Sequence, residues 1–366
     1  MKTKKERVKE IEKSSEKKIS KSKEVYINTG TSMLNLACSD CANKGFLMGT
    51  MVNIIGDSSA GKTFLALTIL AEFVHNSDFD DYELVYDDAE HRNSFNVSKL
   101  FGKKFNSRVV PAFGYDDDNQ PINSETLEDF QDSIYDRLDS GKKCVYILDS
   151  MDSLDSEDDI DKYEDQMKSR QKKRKGLKSA TVAGSYGMKK AKSNSETLRR
   201  ICGKISKTNS LLIIISQTRQ NIGIGFAEKT RSGGTALKFY ASLEIWLAVV
   251  EKIKKLKMQI GVYTRARIKK NSITGKIRDV DFPIYYDYGV DDVKSCIDYL
   301  ISTGVFVKPK GKSVINAEPL GVEFTIEKLI RYIEENNLEN KLKKICQDTW
   351  LDVEDSLKTN RKKRYE

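Results

Sequence analysis

Short apolar runs alternate along this chain with longer stretches in which apolar positions recur every three or four residues. MVNIIG from Met51, ELVYD from Glu83, KCVYILDS from Lys143 and LLIIISQ from Leu211 are the short runs. They are rich in β-branched residues and have no polar face, so they predict strands buried on both sides. FLALTILAEFV from Phe64, LEDFQDSIYDRL from Leu127 and SETLRRICGKISK from Ser195 predict helices. Strand and helix in alternation predict an α/β fold with a mostly parallel, doubly wound sheet and right-handed crossovers. In such sheets ligands bind beyond the carboxyl ends of the strands, so residues just after each short run are the candidates for chemistry.

Further along, ASLEIWLAVVEKIK, GVYTRARIKKN and RDVDFPIYYD predict a small antiparallel extension of the sheet. DDVKSCIDYLISTG and FTIEKLIRYIEENNLENKLKKICQ turn the pattern helical. Three parts are therefore expected: a charged N-terminal helix or arm over residues 1–24, a core over 25–290, and a small C-terminal α or α/β domain over 291–366 with the basic tail KTNRKKRYE. One stretch fits no buried element. Residues 152–165 are acidic and 168–192 basic, with Gly176, Gly184 and Gly187 among them, which predicts a long loop at the functional edge.

Composition narrows the picture in three ways. Hydrophobic residues make up 39% of the 366, enough to fill a core of this size. No run approaches the roughly 18–20 apolar residues of a membrane helix, and no apolar segment follows the N-terminal charges, so the expected location is cytoplasmic. The net charge of +9 favours a polyanionic partner. Cys38 and Cys41 form a C-x-x-C pair, but with no second pair and only His75 and His91 in the chain they read as reduced structural cysteines.

The most specific motif is Gly56-Asp57-Ser58-Ser59-Ala60-Gly61-Lys62-Thr63, which fits G-x-x-x-x-G-K-[ST] and lies between a predicted strand and a predicted helix. Its glycines let the backbone wrap phosphates, its N–H groups point inward, and the new helix adds its positive end. Lys62 is the candidate for neutralising the β- and γ-phosphates of ATP, and the Thr63 hydroxyl for holding Mg²⁺. Asp149, delivered by the strand VYIL, is the second candidate Mg²⁺ ligand. Hydrolysis also needs a group that orients water. Glu90 ends LVYDDAE, expected as the strand beside the P-loop, and Asp87 and Asp88 compete with it for that role.

AEH at 89–91, ISQTRQNIG at 215–223 and above all GGTALKFYAS at 233–242 resemble the bacterial RecA recombinases and their phage-encoded relatives. The resemblance runs from about Thr29 to about Gly304. It implies a RecA-like ATPase core in which Glu90 activates the water and Gln217 senses the γ-phosphate and relays it to the following loop, residues 218–232. It also implies that this loop, with Arg219, Phe226, Lys229 and Arg231, lies against single-stranded DNA, while Gly233 and Gly234 offer N–H groups to phosphates. Lys192, Ser195 and Arg199 fall where the family's other DNA loop, here about 155–192, and its following helix supply phosphate ligands. Lys238 and Phe239 match a subunit-interface segment, and Lys270 one of two lysines that reach a neighbouring subunit's ATP. Such cationic loops at strand ends would track a backbone without reading bases.

The chain also departs from the bacterial pattern. Ser272 stands where the second lysine is expected, the loop after Gln217 is one residue shorter, and GSYGMKKAKSNSETLRR looks more like phage versions. The function implied is an ATP-dependent recombinase that forms a filament on single-stranded DNA and pairs it with homologous duplex DNA, with a single-strand-binding protein or a loader as accessory partner. Two other readings share the P-loop. A hexameric helicase motor would carry an arginine finger and a primase-related domain, and a mediator paralogue would bind ATP without forming its own filament.

Overall fold

The computed structural model describes residues 24–91, 95–174, 187–220, 229–231, 234–362 and 364. The walk begins with β1 (Tyr26–Ile27), α1 (Ser32–Ser39) and β2 (Phe46–Leu47), followed by β3 (Thr50–Gly56), the P-loop and α2 (Lys62–Val74). Then come β4 (Glu83–Asp87), the short α3 (Val97–Phe101) and α4 (Lys103–Arg108), β5 (Val109–Val110), α5 (Leu127–Asp139) and β6 (Cys144–Leu148). Two longer helices, α6 (Glu157–Arg174) and α7 (Gly187–Thr208), lead to β7 (Leu211–Gln220), β8 (Lys229–Arg231) and α8 (Gly234–Tyr240). The antiparallel extension comprises β9 (Leu243–Lys255), β10 (Met258–Asn271), β11 (Asp279–Tyr285) and β12 (Gly289–Val290). The chain closes with α9 (Asp292–Ser302), the hairpin β13 (Val314–Ala317) and β14 (Val322–Thr325), and then α10 (Ile326–Glu335) and α11 (Glu339–Ser356).

Among the described residues the main sheet has the order β12-β11-β10-β9-β3-β7-β6-β4-β5, with β8 paired to β7 off this path. β9, β3, β7, β6, β4 and β5 run parallel, and β9 through β12 antiparallel, as the apolar runs predicted. Successive residues of a strand face opposite sides of a sheet, and the two cores divide accordingly. Leu211, Ile213 and Ile215 of β7 join the cluster beneath α2, whereas Leu212 and Ile214 join the cluster beneath α5 and α7. Helix α2 is enclosed, with nine of its thirteen residues buried from Phe64 to Val74. Helix α5 starts on a capping box: the Thr126 hydroxyl accepts from Asp129 N at 3.0 Å, and the Asp129 carboxylate accepts from Thr126 N at 2.8 Å.

Three expectations require correction. The stretch from 152 to 192 is not a loop throughout, because residues 157–174 and those from Gly187 onward are helical. Its charges are compatible with a solvated helix, since Glu157, Asp158 and Asp159 lie in the first turn of α6, where acidic side chains oppose the positive helix end. Nor does β4 lie beside β3; β7 and β6 intervene, and the neighbours of β3 are β7 and β9. The loop expected at 218–232 starts as a ladder in which Thr218, Arg219 and Gln220 pair with Arg231, Thr230 and Lys229. No helix among the described residues is long and apolar enough to cross a membrane. The six cysteines are free, Cys38 and Cys41 included.

The C-terminal segment packs on the core through α1. Ser32 N and its hydroxyl donate to the Asp292 carboxylate at 2.6 and 2.8 Å, and Trp350 Nε1 donates to Asp40 at 2.9 Å. Arg278 grips Glu354 of α11 in a two-bond fork at 2.5 and 2.8 Å, with Lys276 Nζ 3.0 Å away. The Arg278 fork, aided by Lys276, holds the Glu354 carboxyl down to about 2 from its ordinary 4.5. A depressed carboxylate contributes stability above its unfolded value and loses it as pH falls toward its folded value. Glu354→Gln is therefore expected to cost about 2 kcal/mol at pH 7, the partly exposed cations screening a larger figure. Denaturation series should show the gap from the parent closing as pH falls from 4.5 toward 2. A gap that persists at low pH would rule out this ion pair as its source.

Candidate functional site

All the parallel strands end at one edge, so four loops distant in sequence converge there. Gly56 closes β3, and the P-loop turns into α2 at Gly61, whose φ is +88°. A side chain on Gly61 would also collide with Ile284 Cδ1 at 2.6 Å, and one on Gly56 with the Leu247 carbonyl at 2.7 Å. Glycine is thus required at both positions, by backbone conformation at the first and by close approach at the second. Lys62 Nζ donates back to the carbonyls of Gly56 at 3.0 Å and Asp57 at 2.8 Å. Burial pulls its pKa down, against the carboxylates of Asp149, Glu90, Asp57 and Asp152.

Asp149 follows β6 and is 3% exposed. Its Oδ2 accepts from the Thr63 hydroxyl at 2.6 Å and the Tyr86 hydroxyl at 3.0 Å. Burial pushes its carboxyl up to about 6, with Glu90 and Asp88 adding to the rise and the two hydroxyls opposing it. The donor set at this point is one hydroxyl and one carboxylate oxygen in contact, without a cluster of three His, Cys, Asp or Glu side chains among the described residues. That set fits Mg²⁺, a hard cation that takes one or two protein oxygens and fills its shell with water and phosphate.

Backbone bonds bring the third loop in: Asp149 N donates to Asp87 O at 2.9 Å, and Glu90 N to Asp149 O at 3.1 Å. Glu90 Oε1 then accepts from Ser150 Oγ at 2.7 Å and from Gln217 Nε2 at 2.8 Å. Gln217 N in turn donates to Asp152 Oδ2 at 2.6 Å. Of the three acidic candidates, Asp87 is held away from this group. Its buried carboxylate accepts from Ser124 N, Ser124 Oγ and the Tyr146 hydroxyl at 2.7–2.9 Å, which makes it a structural acceptor. Asp88 and Glu90 both border the cleft.

That cleft has a volume of about 480 Å³. Lys62, Thr63, Asp149 and Glu90 form its polar end, and Val262, Ile284 and Tyr286 an apolar wall. The wall comes from β10, β11 and the turn beyond them. Nothing local in those strands marks them as part of this cleft; only the sheet order carries them there. Tyr86, Ser150 and Asp152 were also missed, although their places next to Asp87 and Asp149 are a signal that could have found them.

The remaining candidates lie elsewhere. Lys192, Ser195 and Arg199 occupy positions three and seven residues apart on α7, and Arg199 is exposed. Arg219 is on β7, Lys229 and Arg231 on β8, and Gly234 opens α8; Phe226 and Gly233 lie outside the described residues. Lys238 and Phe239 are exposed on α8, Phe239 by 75%. Lys270 is not brought to this cleft. Its Nζ donates to the carbonyls of Lys238 and Phe239 at 2.8 and 2.9 Å, at the end of α8, where a cation meets the negative pole of the helix. By register it is level with Glu244 and Asn53, three residues short of Gly56, or roughly 10 Å along the strand.

A family model described as the RecA N-terminal domain matches residues 2–291. Protein RecA of Rhizobium leguminosarum bv. viciae is 27% identical over 296 residues, covering 81% of this chain and 74% of that protein. Protein RecA of Brucella canis is likewise 27% identical, over 300 residues that cover 81% of this chain and 72% of that protein. The family match takes in the whole parallel sheet, the P-loop and every residue that borders the cleft, and on that extent the chain belongs to the RecA family of recombinases.

Proposed function

We propose that this chain hydrolyses ATP and, in its ATP-bound form, assembles on single-stranded DNA as a helical filament that pairs with homologous duplex DNA and exchanges strands. Members of the family are DNA-dependent ATPases. The observation that carries the reading is the 2.8 Å bond from Gln217 Nε2 to Glu90 Oε1. It joins the water-orienting candidate to the residue that precedes the β7–β8 hairpin, so one contact spans the hydrolytic and the DNA-facing sides.

In this reading the P-loop N–H groups and Lys62 bind the triphosphate, with Lys62 leaving the carbonyls of Gly56 and Asp57 to do so. Thr63 and Asp149 would hold Mg²⁺, which when bound offsets charge on the β- and γ-phosphates. Glu90 orients a water and takes its proton, held in place by Ser150 and Gln217. Val262, Ile284 and Tyr286 exclude water from the apolar side of the nucleotide. Lys270, removed from its own subunit's cleft, is assigned to the ATP of a neighbour. Arg219, Lys229 and Arg231 on the hairpin, with Lys192, Ser195 and Arg199 on α7, bind the DNA backbone, and Lys238 and Phe239 a subunit interface.

Electron microscopy of the protein with single-stranded DNA and a non-hydrolysable ATP analogue tests this directly. Long helical filaments that require both ligands are expected. Closed rings would indicate a motor instead, and small particles a mediator that needs a partner.

The hairpin assignment has its own test. Replacing Arg219 and Arg231 together by alanine is expected to weaken binding to all single-stranded sequences alike. It should also reduce the log–log salt slope by about 1.4, or roughly 0.7 for each phosphate no longer neutralised. Fluorescence anisotropy over a salt series measures this, and an unchanged slope would exclude both residues from the set that touches phosphate.

A further inference from the structure

β3 and β7 run parallel with Gly56 level with Gln217, so the next residue of each, Asp57 and Thr218, leaves the sheet beside the other. The Thr218 hydroxyl donates to the Asp57 carboxylate. Asp57 follows the first P-loop glycine, and its carbonyl accepts from Lys62 Nζ at 2.8 Å. Thr218 opens the β7–β8 ladder opposite Arg231. A side-chain bond therefore joins the loop that wraps phosphate to the root of the hairpin that carries Arg219, Lys229 and Arg231.

A P-loop cradles phosphate with backbone N–H groups, so a carboxylate within it adds no phosphate contact and repels a polyphosphate. In this structure the Lys62 ammonium rests on Asp57's own carbonyl, within reach of its charge. A triphosphate that draws Lys62 away leaves Asp57 with less cationic compensation and more negative charge nearby. Thr218 is then a donor that holds the carboxylate off the phosphates, and displacement of the hairpin shifts that donor. We infer that the Asp57–Thr218 bond is a second link, beside Gln217–Glu90, through which bound nucleotide and single-stranded DNA alter each other's affinity. This rests on the function proposed above. Both residues act by positioning other groups, and linkage makes their effect reciprocal.

The readout is a ratio: the affinity for a labelled thymidine oligomer with a non-hydrolysable ATP analogue, divided by that with ADP. Thr218→Val and Asp57→Ala, which remove the donor and the acceptor in turn, are each expected to lower the ratio about five-fold or more. The double variant should fall no further, because both changes break one bond. Thr218→Ser restores the hydroxyl and should keep the parent ratio, which a fold defect at this position would not permit. Unchanged ratios in both single variants, or effects that multiply in the double, overturn the link while leaving the proposed function intact. A parent ratio of one overturns the proposed function and this link with it.

Discussion

Glu90→Gln is expected to slow ATP hydrolysis by a factor on the order of a hundred or more while ATP-dependent DNA binding persists. The amide matches the carboxylate in size, and its oxygen can still accept from Ser150 and Gln217, which meet Glu90 Oε1 at 2.7 and 2.8 Å. What it lacks is the capacity to take a proton from water. Steady-state hydrolysis with saturating single-stranded DNA measures the first effect, and anisotropy with a non-hydrolysable analogue the second. Loss of nucleotide binding would contradict a water-activating role, and an unchanged rate would transfer that role to Asp88, the other acid of the pair that borders the cleft. Asp87 is not an alternative, because its oxygens are committed to Ser124 and Tyr146.

For Lys62→Ala the expected loss of hydrolysis is of the order of a hundred- to a thousand-fold, the range for removal of one preorganised donor to developing charge. The folded protein without nucleotide should suffer little. Lys62 is a partly buried cation whose pKa is lowered by burial, and its bonds run to two backbone carbonyls rather than to an ion-pair partner. Melting curves should accordingly show a parent-like midpoint without nucleotide and a loss of the upward shift that ATP gives the parent through mass action. Hydrolysis at the parent rate would mean that the phosphate site has been assigned wrongly.

The P-loop was legible because its information is local. Strand, glycine turn and helix start are consecutive, so one octapeptide specifies both the backbone path and the groups that point into it. The same holds for Asp149, which an apolar strand delivers to an edge whatever its neighbours are. Glu90 was harder. The residues near it offered three acids, and the resemblance to the family chose among them; the geometry adds the reason, since Asp87 is sequestered by side chains from β6 and from the loop before α5. The strand that delivers Glu90 was expected beside β3 and instead lies beyond β7 and β6. Strand order depends on how crossovers pack, and several orders satisfy the same apolar pattern.

The helix at 157–174 and the first turns of the helix from Gly187, before the segment from Ser195 that was expected as helix, were read as loop because their sequence is charged, and a polar helix carries little of the periodicity by which buried helices are recognised. Conversely, the antiparallel extension was recognised as strands without any hint that Val262, Ile284 and Tyr286 would wall the cleft beside the P-loop.

By itself, then, the sequence determined the fold class and the strand, glycine turn and helix start of the P-loop, because each follows from residues close together in the chain. Only the tertiary structure decided that Tyr86 reaches Asp149, that Gln217 meets Glu90, that Thr218 meets Asp57 and that Lys270 turns toward α8 rather than toward its own cleft. These pairs join residues 32 to 161 positions apart. They exist because the packing of helices on both faces sets the register of the whole sheet, and that register is a property of the assembled core rather than of any one segment.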